Sequence, residues 1–254
     1  MNRTYVSAET AVNMPGIRIA FTQGVPGPWG EAVRAIYDFK KIDYTPVVQH
    51  GGGPNEALMA WTGQNSAPCV VINDERPRAH WSEMLVLAEQ MAPEPSLIPA
   101  NQRLRAAMFG ICHELCGEGG FGWNARLVQF DILMKQEPQR SLDGMLRKFY
   151  SDISLEQARS RIGSIMHWLA AMLQEQNNRQ SDYLVGDSLT AADIYWTTFS
   201  NMVAPLDKEV CPMPDWYRSM CEQGSAAICI SVPPILIEHR ERILHRHFTL
   251  PMWF

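Results

Sequence analysis

The chain has 254 residues, 46% of them hydrophobic and 19% charged, with a formal net charge of −5. That is enough apolar material for one large core or two small ones, and the acidic balance excludes the basic field that nucleic acid or an anionic membrane surface would need. No apolar run approaches the ~20 residues that span a bilayer, and six cysteines scattered without a CxxC pair read as the thiols of a cytoplasmic protein rather than a disulfide scaffold.

Residues 1–15 carry one arginine and no apolar block, so they read as a loose polar extension rather than a signal peptide. Ile17, Ile19 and Phe21 then alternate at strand spacing. The segment Gly24–Pro28 holds two prolines and two glycines and cannot be helical. Ala32, Val33, Ile36, Tyr37 and Phe39 form an apolar stripe at helical spacing, with Glu31, Arg34, Asp38 and Lys40 off it. Tyr44–Val48 reads as a second strand, which its proline makes irregular or edge-like. The triple glycine at 51–53 lacks the Gly-Lys-Ser/Thr ending of a phosphate loop and reads as a flexible turn.

Cys69–Ile72 is a third strand, Asn73–Pro77 a turn, and Arg78–His80 the returning strand. Ser82 stands at the expected N-cap of a helix carrying Met84, Leu85, Leu87, Ala88 and Met91. Pro93, Pro95 and Pro99 end that helix and place a linker over residues 94–100. Beyond it the pattern is helical. Leu104, Met108, Ile111 and Leu115 recur at spacings of three and four, Gly117–Gly122 makes a bend, and Leu155 to Leu173 marks a long amphipathic helix. Cys112, His113 and Cys116 share a helical turn but lack a fourth ligand, so no metal site is expected. His239, His245 and His247, with Arg240, Arg242 and Arg246, read as a solvated basic helix end. The apolar tail Phe248–Phe254 is expected to fold back over an acceptor pocket or a partner subunit.

The sharpest local signal is Leu189-Thr190-Ala191-Ala192-Asp193-Ile194. Thr190 and Asp193 have the spacing of a capping box, and Leu189 and Ile194 that of a hydrophobic staple around it. The longer run from Tyr183 through Gly186 and Asp187 to Ile194 resembles the capping-box signature of the glutathione transferase superfamily. The Ala67-Pro68 step before a strand, then Ser82 and a helix, resembles that family's thioredoxin-like half. Together these cover residues 16–245 and suggest a divergent, bacterial-type member.

The resemblance implies an α/β thioredoxin-like domain over residues 16–93 and an all-α domain over residues 101–254. It implies glutathione as co-substrate, a small apolar electrophile as acceptor, and a homodimer. Pro68 would be cis, presenting the Ala67 backbone to glutathione, and Ser82 would take the γ-glutamyl carboxylate at a helix N-terminus. Met108, Ile111, Cys112, Leu115, Phe121 and Trp123 would line the acceptor pocket. The chain departs from the family at three places. Gly27 stands before Pro28 and Trp29, where related enzymes carry a serine or cysteine. Trp81 replaces the acidic or amide residue before the serine. Asn65 and Ser66 replace lysines before the proline step, leaving Asn65 as a hydrogen-bonding candidate. Thr22, Gln23 and Trp29 are the remaining donors able to stabilise a thiolate. The rival reading is a non-catalytic carrier of apolar ligands or an interaction module on the same fold.

Overall fold

The structure is a computed structural model and describes residues 4–136 and 153–254; residues 1–3 of the expected extension lie outside that range. Two compact units emerge, Met1–Pro95 with Trp253–Phe254, and Ser96–Met252.

The first unit is a three-stranded sheet with helices. Strands β1 (Ile17–Thr22), β2 (Thr45–Gln49) and β3 (Cys69–Ile72) are ordered β2-β1-β3. The β1–β2 pair is parallel and runs from Arg18↔Thr45 to Thr22↔Gln49, while β1–β3 is antiparallel and ends at Ala20↔Cys69. Helices α1 (Ala8–Ala11), α2 (Pro28–Phe39), α3 (Glu56–Thr62) and α4 (Trp81–Met91) complete the unit. The returning strand expected at 78–80 shrinks to one bridge, in which Val70 and Arg78 exchange two 2.8 Å backbone bonds. Pro77 has no N–H to extend it, and the helix begins at Trp81.

The N-terminal segment is not loose. Val6 donates to Pro46 O and accepts from Val48 N at 3.0 and 2.9 Å, covering part of the outer edge of β2. Ser7 caps α1, and Ala8 and Ala11 are buried with Ala20, Val47, Leu58 and Cys69. Arg18, 1% exposed on β1, anchors this segment by donating to the carbonyls of Ala11, Met14 and Asn73.

Helix α2 also differs from its amphipathic reading, because Glu31, Arg34 and Lys40 are buried too. Lys40 Nζ reaches Glu89 at 2.6 Å and the carbonyls of Ala92 and Pro95 at 2.7 and 3.0 Å. Arg34 donates to Tyr5 Oη at 2.8 Å and to Glu31 at 3.3 Å. Its guanidinium lies between the rings of Phe21 and Trp253, 4.1 and 3.9 Å from their centroids. The tail thus supplies an aromatic wall to Arg34 in the first unit, a role its apolar composition alone did not specify.

Burial pushes the Glu31 carboxyl up to about 7, against the lowering influence of Arg34. A carboxyl raised in this way binds more protons folded than unfolded. Its contribution to stability is therefore lost as pH rises from its ordinary 4.5 through about 7. Wild type should lose on the order of 3 kcal/mol relative to Glu31→Gln between about pH 4 and pH 8. Parallel stability profiles from denaturant titrations would contradict the assignment.

The second unit contains α5 (Gln102–Cys116), α6 (Phe121–Gln136), α7 (Leu155–Asn178), α8 (Ala191–Phe199), α9 (Asp215–Ile228) and α10 (Pro234–His247). Helix α8 is its centre, with every residue buried. A Cβ on Gly122 would stand 2.3 Å from the Phe199 ring, so the glycine bend lets the start of α6 close on α8. Asp193 Oδ1 accepts from Leu184 N at 2.8 Å, and Oδ2 accepts from the amide and hydroxyl of Thr190 at 2.8 and 2.9 Å.

His239 is not at a solvated helix end. It is fully buried, with Nε2 3.1 Å from Asp193 Oδ1 and Nδ1 3.1 Å from Asp182 O. Burial of Asp193 requires polar partners on every side, and α10 sets the His239 imidazole beside it from 46 residues later, as the numbering 193 to 239 gives.

Candidate functional site

The carboxyl ends of the parallel strands β1 and β2 meet the turn that enters β3. The β1–β3 ladder stops at Ala20↔Cys69, one residue beyond Pro68, so Ala67 lies past its last pair. The Ala67–Pro68 peptide is cis, and Pro68 is buried while Ala67 is half-buried. At the same end, Thr22 closes β1, Gln49 closes β2, and Asn65 precedes the proline step.

Gln49 joins these pieces, and the sequence reading did not single it out. It is 5% exposed, its Oε1 accepts from Thr22 Oγ1 at 2.6 Å, and its Nε2 donates to the carbonyls of His50 and Asn65 at 3.0 and 3.1 Å. The backbone N–H of Gln23 donates to Gln49 O at 3.3 Å, while the Gln23 side chain belongs to an exposed residue. The available signal was a polar residue in phase with the buried positions of a strand.

Asn65 turns its side chain to the glycine turn. Its amide nitrogen, placed by the surrounding acceptors, donates to Gly53 O and Pro54 O at 3.1 and 3.2 Å. That turn is organised by Asn55, whose Oδ1 accepts from His50 N at 2.8 Å and whose Nδ2 donates to His50 O and Gly53 O at 2.9 Å. It is a braced loop rather than a phosphate cradle.

Helix α4 begins two residues earlier than expected, with His80 instead of Ser82 as its N-cap. Its Nδ1 accepts from Ser82 N at 3.4 Å and stands 2.8 Å from Ser82 Oγ. Both groups of Ser82 that a carboxylate would use are thus turned to His80. Trp81 is 8% exposed, its ring 5.7 Å from that of His80, and serves the core. Trp29 is half-buried at the second position of α2, whose N-cap is Gly27. A Cβ on Gly27 would meet no atom within 4 Å, and the residue's φ of −65° suits any side chain.

The expected pocket residues belong to the second unit's core. Met108, Ile111, Cys112, Leu115 and Phe121 have no exposed surface. Cys112 Sγ lies 3.5 Å from Met108 Sδ, and Phe121 stands edge-on to Trp196. A side chain already packed on all sides offers nothing to a ligand without movement; Trp123 alone of the six is half-buried. Among the cysteines, burial pushes the Cys69 thiol up to about 11 and holds Cys112 and Cys116 well above the usual range. None of these three is poised as a nucleophile. Among the described residues no group of three or more His, Cys, Asp or Glu side chains could hold a metal ion, and no helix is long and apolar enough to cross a membrane.

No protein-family model and no curated protein matches the chain. Solved structures do. A glutathione S-transferase from Methylobacterium radiotolerans, in complex with glutathione sulfonate, is 19% identical with a TM-score of 0.59, covering 91% of each chain. One from Methylobacillus flagellatus with glutathione bound is 15% identical, with a TM-score of 0.61 over 91% of this chain and 95% of that one. A glutathione transferase family member from Pseudomonas fluorescens, with two glutathione bound, is 13% identical with a TM-score of 0.64 over 94% of each. At such identities the likeness concerns architecture, and the chain has the fold of glutathione S-transferases: a thioredoxin-like α/β unit and an all-α unit.

Proposed function

We propose that the chain binds glutathione on its thioredoxin-like unit and transfers it to a small apolar electrophile. The observation that carries this reading is the cis Ala67–Pro68 step, held level with the end of β1 in a fold whose solved relatives contain glutathione or its sulfonate. In this reading the backbone beside Pro68 pairs with the peptide backbone of glutathione. The γ-glutamyl carboxylate displaces His80 from Ser82 and takes the N-terminus of α4, where peptide dipoles favour an anion.

The thiol then lies toward the start of α2. The first amides of that helix favour thiolate over thiol without any side-chain nucleophile. The sulfur attacks the electrophilic carbon, the leaving group departs with its electron pair, and the thiol proton goes to solvent. Binding and orientation carry the rate. Incubation with glutathione and a chloronitroaromatic electrophile tests this. Conjugate formation that saturates with glutathione is expected; folded protein giving only the uncatalysed rate would overturn the transferase reading.

One observation favours a second reading, a non-catalytic transferase-fold carrier of apolar ligands or a protein-interaction module. Thr22, Asn65 and Ser82 each direct their polar groups to protein partners, and no lysine stands at 65–66. Folded protein that takes up an apolar ligand but no glutathione would select it.

A further inference from the structure

We infer that Gln49 is a positioning residue that fixes the direction of the Thr22 hydroxyl, so that Thr22 offers lone pairs, and not a proton, to a sulfur at this edge. The inference rests on the glutathione reading for the identity of that sulfur.

The direction follows from hydrogen-bond bookkeeping. The two groups near one end of the Gln49 amide, His50 O and Asn65 O at 3.0 and 3.1 Å, are backbone carbonyls and only accept. The nitrogen must therefore occupy that end, which leaves the oxygen facing Thr22 Oγ1 at 2.6 Å. An amide oxygen cannot donate, so the hydroxyl does, and it has one proton to give. Rotating that proton toward a sulfur would strand the oxygen of a side chain that is 5% exposed. The same residue takes a second donor out of play, because Gln23 N–H is bonded to Gln49 O at 3.3 Å.

Two of the groups able to stabilise a thiolate at the end of β1 are thus turned inward by one buried glutamine. Thr22 then accepts from an S–H and opposes S⁻, and it holds the thiol pKa up. The first amides of α2 are left to bring it down. Releasing Thr22 from Gln49 should make it a donor and increase the thiolate fraction.

The test has two parts on the full-length chain. In ligand-free protein, NMR should show the Thr22 hydroxyl proton protected from exchange, close to Gln49, and lost in Gln49→Met. A rapidly exchanging proton in wild type would overturn the inference whatever the protein binds. With glutathione bound, ultraviolet thiolate absorbance against pH gives the thiol pKa. Thr22→Val should leave it unchanged or lower it, whereas Gln49→Met should lower it by about one unit, a tenfold gain in thiolate below the pKa. That gain should vanish in the Thr22→Val/Gln49→Met double variant, which a merely disturbed loop would not explain. If Gln49→Met misfolds, Thr22→Val alone decides: a rise of one unit would make Thr22 a donor and sink the proposal. Absence of glutathione binding in folded wild type would instead remove the functional reading and the thiol role with it, while hydroxyl protection would still establish the orientation.

Discussion

Replacing Asp193 by alanine is expected to cost about 4–5 kcal/mol, enough to leave the helical unit mostly unfolded in mild denaturant. Three donors lose their acceptor at once, the amides of Leu184 and Thr190 and the Thr190 hydroxyl. His239, whose side chain has no solvent exposure, loses the carboxylate 3.1 Å from Nε2. Buried donors without partners carry their full desolvation penalty, and the centre of α8 admits no water to replace the lost oxygens without repacking. Asp193→Asn keeps one acceptor oxygen and should cost about 2 kcal/mol. Denaturant unfolding followed by the near-ultraviolet signal of buried Trp196 reads both values. An alanine variant within about 1 kcal/mol of wild type would show the box to be a local helix start only, as exposed caps are.

Replacing Gly27 by serine should raise the conjugation rate about tenfold at a pH below the thiol pKa, equivalent to lowering that pKa by about one unit. Gly27 is the N-cap of α2, its φ of −65° is ordinary for an L residue, and its Cβ direction is open to 4 Å. A serine there fits without strain and places at the helix start a hydroxyl that Gln49 does not hold. Gly27→Ala supplies the same Cβ without the oxygen and should leave the rate within about twofold, since the helix-start amides still do the work. Equal rates in all three proteins would mean that the sulfur does not approach α2. A gain in Gly27→Ala matching that in Gly27→Ser would assign the effect to backbone stiffening rather than hydrogen bonding.

Segments with a strong local period or a short-range motif were legible. The alternation at Ile17–Phe21, the apolar stripe from Leu155 to Leu173 and the box at Leu189–Ile194 correspond to β1, α7 and the start of α8. The Ala67–Pro68 step was legible through its likeness to a known family. The N-terminal segment was not. One bridging residue, Val6, and a four-residue helix capped by Ser7 are too short to show any period.

The same holds for buried polar side chains, whose partners lie far along the chain. Lys40 waits for Glu89, Ala92 and Pro95; His239 for Asp182 and Asp193; Gln49 for Thr22 and Asn65. A periodic reading places such residues on the solvent face, because it prices a charge or amide before knowing what will satisfy it. Site geometry suffered most from this. Thr22, Asn65 and Ser82 were recognised by type and place, but what their polar groups face depends on Gln49, the 50–55 turn and His80.

Calorimetric titration of the folded protein with glutathione, beside Ser82→Ala, tests the central claim most directly. Binding in the millimolar range or tighter is expected, weakened about tenfold or more in Ser82→Ala, as loss of one hydrogen bond to a carboxylate allows. No heat with wild type at several times that concentration, or equal affinity in both proteins, would contradict a glutathione site at the start of α4.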